Sequence, residues 1–267
     1  MAGWFFTIRG KAPRATGVLL GLVPVAALLG LWFVLTHGEV EDRKISPTIL
    51  PSPSEVWSQI PALRDRELLK HTLASLKRVG LGYLLALAVT FPLGVLMGSF
   101  GSARALFNPA MTASGYIPIA TLVPLTMSWF GTGEQMKIIF LALAFAIYML
   151  PLFVNAIDAV PDVYLRTAAT LGASRWNQVW SVLIPVALPD IWNAMRLAFG
   201  VGWTYLVLAE VVVLDDGLGY LVEFSRRRGP REHIYLIIVV ITLIAWVVDL
   251  AWANLGKFIF PYRSDRR

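Results

Sequence analysis

Residues 166–189 read Arg-Thr-Ala-Ala-Thr-Leu-Gly-Ala-Ser-Arg-Trp-Asn-Gln-Val-Trp-Ser-Val-Leu-Ile-Pro-Val-Ala-Leu-Pro. This polar, small-residue stretch is set between long apolar runs. Just upstream, Pro161 suits a first helical turn and Asp162 complements the positive end of a helix dipole. Gly172 can take the left-handed conformation that ends a helix. The spacing predicts a short helix, a sharp break at Gly172, and a second helix from about Ser174. That second helix runs through Ile184-Pro185 and Leu188-Pro189 into the next apolar run. Ala168 and Ala169 give the first helix a narrow face able to sit in a groove. On spacing alone, an ordinary hairpin between helices explains the stretch equally well.

The runs on either side decide the class. The chain is 57% hydrophobic and 15% charged, where soluble domains carry about a quarter charged residues. Residues 15–37 form a first apolar segment. It is longer than the ~7–15-residue core of a signal peptide and has no small-residue cleavage site, so it reads as an uncleaved span. Residues 79–100, 106–130, 136–157, 183–214 and 234–255 give five more. The fold class is therefore all-α, an integral membrane protein of six transmembrane helices. An even number of spans puts both termini, 1–14 and 256–267, on one side, with residues 158–182 on that side as well. Residues 38–78 are polar. Ser46-Pro47 and Pro51-Ser52-Pro53 force irregular or extended backbone. Ser54 then reads as an N-cap, and Val56, Ile60, Leu63, Leu68, Leu69, Leu73 and Leu76 recur at helical spacing, as in helices lying at a membrane interface.

Several chemistries are excluded. With no cysteine there is no disulfide, thiolate metal site or thiol nucleophile. His37, His71 and His233 have no metal-ligand spacing. The net charge of +6 fits basic anchors at lipid headgroups better than nucleic acid. Basic residues do not settle the orientation. If the termini are cytoplasmic, ten lie inside and twelve outside, with Arg196 inside a span completing the 23.

Ionisable groups at membrane depth invite functional readings. Arg196 and Glu210 are about four turns, ~21 Å, apart on one predicted helix and read as braces of helix ends or of a gate. Asp249, near the end of the last span, reads as the partner of a base in the C-terminal tail. Tyr116, Pro118, Thr121, Pro124 and Thr126 make the third span irregular. Broken helices are tolerated where they line a cavity or are buried in protein, and a translocation path and a kinked packing helix both fit. Trp129 and most other tryptophans read as interface anchors. Arg226, Arg227, Arg228 and Arg231 form a basic loop that could focus anions, dock an acidic protein or hold lipid headgroups.

The stretch that opens this section resembles the coupling loop of permease subunits of type I ATP-binding cassette importers, with its pattern Glu-Ala-Ala-x-x-x-Gly. The match is carried by Thr170-Leu171-Gly172-Ala173-Ser174 and by Val182 to Pro189. It continues through Arg196-Leu197-Ala198-Phe199-Gly200, Trp203, Ala209-Glu210 and Gly217-Leu218-Gly219, and upstream through Tyr116-Ile117-Pro118, Pro124-Leu125, Trp129-Phe130-Gly131 and Gly133-Glu134. Together with Leu50-Pro51-Ser52-Pro53 and Val56-Trp57, it is similar to the nitrate, sulfonate, taurine and bicarbonate group and covers roughly residues 45–255, with a permease core at 70–255. Two departures stand out: Arg166 replaces the family glutamate and Thr167 the first alanine.

The resemblance implies the type I importer permease fold in a bacterial inner membrane, with loop 158–182, and so both termini, cytoplasmic. It implies an ATPase-coupling role for Asp162, Leu165, Arg166, Thr167, Ala168, Ala169, Leu171, Gly172, Ala173 and Ser174, and a pathway or gate role for Tyr116, Pro118, Thr121, Thr126, Arg196, Trp203 and Glu210. The implied partners are ATPase subunits, a second permease copy, an extracytoplasmic solute-binding protein and lipids, and the implied cargo is a small anion. The chain has no phosphate-binding loop, so no cofactor is expected in it, and ATP and Mg belong to the partner ATPase. The alternative class is an ion-coupled secondary transporter. It would show a carboxylate relay and internally repeated halves, and neither is clear in the sequence.

Overall fold

The computed structural model describes residues 13–39, 43, 45–212 and 215–262, and all the regular structure among them is helical. Residues 1–12 and 263–267 lie outside the described residues, as does the end of the fifth predicted span at 213–214. In chain order the elements are α1 (Arg14–Thr36), α2 (Pro53–Ser58), α3 (Ile60–Asp65), α4 (Leu68–Ser99), α5 (Gly101–Ser114), a 3₁₀ turn (Ile119–Thr121), α6 (Leu122–Phe130), α7 (Glu134–Asp158), α8 (Asp162–Thr170), α9 (Arg175–Gln178), a π turn (Val179–Leu183), α10 (Ile184–Val212), α11 (Leu218–Arg228) and α12 (Glu232–Ile259). Among the described residues, five helical stretches are long and apolar enough to cross a membrane: α1, α4, α7, the run from α9 through α10, and α12.

The sixth crossing is the broken pair α5 and α6, bent by 87°. Its course follows from the packing of α4 on α7. A Cβ placed on Gly82 would lie 2.8 Å from the Cβ of Leu141, one on Gly94 2.7 Å from Phe153, and one on Gly98 2.7 Å from Ile157. Both numbers rise together, so α4 and α7 run parallel. The chain leaves α4 at one end of the bundle and enters α7 at the other, so residues 101–130 must traverse it. Gly82, Ala86, Thr90, Gly94 and Gly98 recur every four residues and form one small-residue stripe on α4. In lipid there is no hydrophobic drive between apolar helices, and such a stripe brings backbones close enough for van der Waals packing.

Helix α10 returns antiparallel. Tyr83 of α4 donates to the Met195 carbonyl at 3.1 Å, while Glu210 reaches Arg78. Gly202 leaves room for the Phe145 ring, which a Cβ would approach to 2.0 Å. Helix α12 then lies antiparallel to α10: the Trp192 indole donates to the Trp252 carbonyl at 3.2 Å, and Arg196 pairs with Asp249. The main core joins α4, α7 and α10. A smaller cluster joins Val56, Leu63, Leu218, Leu221, Leu236 and Ile237, with Trp32 of α1 packed on it.

Three sequence expectations are corrected. The cap of the first short helix is Ser52, not Ser54: Ser52 and Glu55 form a reciprocal capping box and Pro53 takes the first helical position. Only Val56, Ile60 and Leu63 belong to short helices before the bundle. After Glu67, at φ 56°, the chain enters α4, so Leu68–Leu76 and Arg78 belong to a spanning helix rather than to an interfacial loop. Arg226, Arg227 and Arg228 are not in a loop but form the last turn of α11.

Candidate functional site

The sequence-predicted residues fall into three places. The first is the projection formed by α8 and α9. Helix α8 begins after Pro161 with Asp162 in its first turn. It ends as the glycine pattern predicts: Gly172 has φ +81°, the Ala173 amide donates to the Ala168 carbonyl and the Gly172 amide to that of Ala169, both at 3.0 Å. This paired arrangement satisfies carbonyls that the helix end would leave open. Ser174 caps the next helix by accepting from the Asn177 amide at 3.3 Å. A π turn at 179–183 then joins α9 to α10.

Ala168 is buried and Leu165 half-buried against the main core, while Asp162, Arg166, Thr167, Ala169, Gly172 and Ser174 are exposed and Ala173 is half-buried. Leu171 is 82% exposed, and Val163, Tyr164 and Trp176 are exposed beside it. Large apolar side chains exposed on a formed element fit a protein-binding surface. Arg166 is exposed, and its ion pair among the described residues is a 3.7 Å contact with Asp162 one turn earlier. At this end of the bundle Arg104 pairs with Asp158, and Phe100 meets Trp176 edge to face at 5.5 Å.

The second place is a cleft of about 500 Å³ lined by Gly115, Tyr116, Ile117, Pro118, Ile119, Ile147, Tyr148, Pro151 and Tyr205. The break between α5 and α6 forms one wall, with α7 and α10 opposite. The irregular span thus borders a cleft. Tyr116 is 82% exposed. Thr121 instead caps the turn by donating to the Pro118 carbonyl at 2.7 Å. Thr126 and Trp203 are corrections. Thr126 is fully buried and its hydroxyl bonds the Leu122 and Val123 carbonyls of its own helix. Trp203 is packed in the core, edge to face with Phe199. Tyr148 and Tyr205, whose hydroxyls are 3.0 Å apart, were missed. The only sequence signal for them was two phenols inside apolar runs.

The third place is a polar hub at the opposite end from α8. Arg78 Nη1 meets Glu210 Oε1 at 2.7 Å, both side chains being buried. The same guanidinium bonds Glu134 at 2.5 and 2.9 Å, the Asp216 carbonyl at 2.9 Å and the Asp216 carboxylate. Partial burial alone would raise the Asp216 carboxyl, but the Arg78 hydrogen bond outweighs it and holds the group below its ordinary value. Fully buried Lys137 sits 3.4 Å from Glu134 and 3.7 Å from Asp215.

Three successive amides at the start of α11, which no helical carbonyl can satisfy, are taken up by side chains of the bundle. The Gly217 amide donates to His71 Nδ1 at 3.0 Å, that of Leu218 to Ser75 Oγ at 2.8 Å, and that of Gly219 to Glu210 Oε2 at 2.8 Å. Gly217, at φ +110°, has to be glycine twice over, since a Cβ there would also lie 2.4 Å from the Glu210 carboxylate oxygens.

Arg196 and Glu210 therefore act apart. Glu210 closes the hub, whereas Arg196 forms a two-pronged pair with Asp249 at 2.5 Å. Among the described residues, Asp249 is thus held by a neighbouring span. At the hub end, Arg226 and Arg227 fold back on Glu223 at 2.5–2.6 Å and Arg231 reaches the Thr48 carbonyl, so much of the basic cluster is engaged within the chain.

A polytopic helical bundle with a broken crossing beside a cleft, and a short exposed helix at one end, has the build of an ABC importer's transmembrane subunit. The chain belongs to the family of binding-protein-dependent transport system inner membrane components, whose model matches residues 90–261. It is 30% identical over 264 residues to the taurine transport system permease protein TauC of Escherichia coli, covering 97% of this chain and 94% of that protein. It is 27% identical to the putative aliphatic sulfonates transport permease protein SsuC of Bacillus subtilis, covering 97% and 93%, and 26% identical to the nitrate import permease protein NrtB of Leptolyngbya laminosa, covering 96% and 90%. Among solved structures, the inward-facing MetNI methionine ABC transporter matches with a TM-score of 0.66 at 19% identity, covering 72% of this chain and 95% of that chain. A bacterial ABC transporter involved in import of the polysaccharide alginate matches at 0.58 and 15%, covering 92% and 93%. The protein is a membrane permease subunit of an ABC importer, and its family implies ATPase and binding-protein partners.

Proposed function

We propose that this chain, as a homodimer, forms the alternating-access path by which a small oxyanion of the sulfonate or nitrate class enters the cell, driven by ATP and Mg bound on separate ATPase subunits. The carrying observation is the exposed α8–Gly172–α9 projection, with its apolar patch of Val163, Tyr164, Leu171 and Trp176, on a chain that is related along nearly its whole length to permeases named for taurine, sulfonates and nitrate. In this reading the projection seats in a groove of the ATPase, on the cytoplasmic side. Closure of the ATPase pair then moves α8 and, through Leu165, the core behind it. The hub end, with Arg226–Arg231, faces the binding protein outside. Of the implied gate residues, Glu210 and Arg196 hold spans together rather than contact cargo.

The test is affinity purification of the tagged chain from its native membrane, identification of its partners, and reconstitution of the complex with ATP inside proteoliposomes. Uptake of taurine, an alkanesulfonate, nitrate or bicarbonate that needs both ATP and the binding protein is expected. Uptake driven by an ion gradient without an ATPase would replace this reading with the secondary-transporter one. Carriage of neutral or cationic solutes alone would remove the oxyanion.

A further inference from the structure

The cleft beside the broken crossing has a lining of unusual chemistry. Its nine residues include no carboxylate, no lysine, no arginine and no histidine. The polar side chains are three phenols, Tyr116, Tyr148 and Tyr205, and the rest is isoleucine, proline and glycine. Tyr148 lies near the middle of α7, and Tyr116 sits in the break of the crossing. The cleft is thus midway between the Arg78–Glu210 hub and the Arg104–Asp158 end, where a path through the bundle would run. Its volume, about 500 Å³, lies within the range of small-molecule sites.

The two hydroxyls 3.0 Å apart fix the hydrogen-bond arithmetic. A phenol has one O–H to give. One tyrosine donates to the other, and the acceptor's own O–H then has no partner in the pair. The pair presents one free donor and spare lone pairs to the cleft, without a fixed charge. A hydrogen bond to an ionised oxygen is stronger than one between neutral groups. A site built this way can donate to a cargo oxygen, yet lacks the ion pair that would hold a charged solute too long. Conduction needs that balance, binding firm enough to admit the solute and weak enough to release it.

We propose that the Tyr148–Tyr205 hydroxyl pair is the specificity-determining contact of the permeation path, donating to an oxygen of a small oxyanion as it passes, with Tyr116 closing the cleft from the break. This rests on the oxyanion-import reading above, which supplies the sign of the cargo.

The chain has no cysteine, so single-cysteine variants of the assembled complex are clean probes. Tyr148→Cys and Tyr205→Cys are expected to react with the anionic reagent 2-sulfonatoethyl methanethiosulfonate much faster than Val89→Cys, an exposed position on the apolar face of α4, and taurine should slow that reaction. In reconstituted uptake, Tyr148→Phe and Tyr205→Phe keep the ring and lose the hydroxyl. Each single variant leaves one O–H free to donate and should change the KM for taurine little. The double variant, with no donor left, should raise it roughly tenfold, the worth of one hydrogen bond to a charged group. Labelling no faster than at Val89→Cys, or a double phenylalanine variant with wild-type KM, would overturn the proposal. A wild-type complex that carries no oxyanion would instead overturn the function proposed above, with the labelling result still deciding whether the pair lines an aqueous path.

Discussion

Arg78 and Glu210 stand 132 residues apart in sequence and 2.7 Å apart in space, with both side chains buried. Each also serves another segment. Arg78 holds Glu134 and Asp216, and Glu210 accepts from Ser75 and from the Gly219 amide. One ion pair therefore ties α4, α7, α10 and the start of α11 into a block. A charge buried in a bundle is costly unless it is fully partnered, and here the partners come from four elements, so the charges can be satisfied only in the assembled fold.

Arg78→Gln should accordingly destabilise the protein by ~3–5 kcal/mol, the cost of leaving the buried Glu210 carboxylate without its cation. Glu210→Gln should lose a similar amount. The exchange Arg78→Glu with Glu210→Arg should not restore stability, because Ser75 and the Gly219 amide donate to position 210 and an arginine there can accept from neither. Denaturant titration in detergent measures all three. A charge-swapped protein as stable as wild type would mean that simple charge neutrality, not this hydrogen-bond set, holds the block.

This hub also shows where the sequence stopped being readable. Six crossings, the helix–glycine–helix break at Gly172 and the irregularity near Tyr116 were all legible, because each is set by local composition or by one residue's backbone freedom. The start of α4 was not. Lys70, Lys77 and Arg78 look like loop charges, and nothing within a few residues of Arg78 reveals that its partners are Glu134, Glu210 and Asp216. The pairing of Arg196 with Asp249 was hidden for the same reason, as was that of Tyr148 with Tyr205. Proline was a poor guide to the break: Pro92, Pro109, Pro151 and Pro189 lie inside helices, whereas the chain turns at Gly115–Pro118.

The stripe on α4 gives a paired test. A methyl on Gly94 would sit 2.7 Å from the Phe153 Cβ, which is attached directly to a backbone and cannot swing aside. Gly94→Ala should cost ~1–3 kcal/mol through overpacking. Gly80→Ala, with nothing within 4 Å, should be neutral or stabilise by up to ~1 kcal/mol through helix propensity. Thermal unfolding of the two purified variants separates them, and equal effects would show that α4 and α7 are not in this register.

Glu223 supplies a pH test at the hub end. Hydrogen bonds from Arg226 and then Arg227 hold its carboxyl down at about 2. A carboxyl lowered by folding contributes stability that is complete above its unfolded value of ~4.3 and is lost as the pH falls through the folded one. The contribution of this contact to α11 should therefore be constant from pH 7 to 5 and decline only between about 4.5 and 2. Carboxyl-carbon NMR should find Glu223 titrating near the bottom of that window, and nearer its ordinary value in the double variant Arg226→Gln, Arg227→Gln. A titration unmoved by that change would assign the low value to another cause.

Arg166 separates charge from shape at the projection. Its side chain is 82% exposed and its one ion pair among the described residues, to Asp162, is 3.7 Å long. Exposed pairs of this kind contribute ~0–1 kcal/mol, so Arg166→Glu should leave the unfolding temperature nearly unchanged. Its effect should appear only with the ATPase present: if the groove is acidic opposite this position, co-purification falls and coupled ATP hydrolysis falls with it. Gly172→Ala tests the alternative. It has open space for a methyl but a left-handed backbone, φ +81°, costing roughly 1–2 kcal/mol of local strain and shifting Leu171 and the angle between α8 and α9. If the ATPase reads charge, Arg166→Glu is the more damaging of the two in a pull-down. If it reads the shape set by Ala168, Leu171 and Gly172, Gly172→Ala is, and Arg166→Glu binds as wild type does.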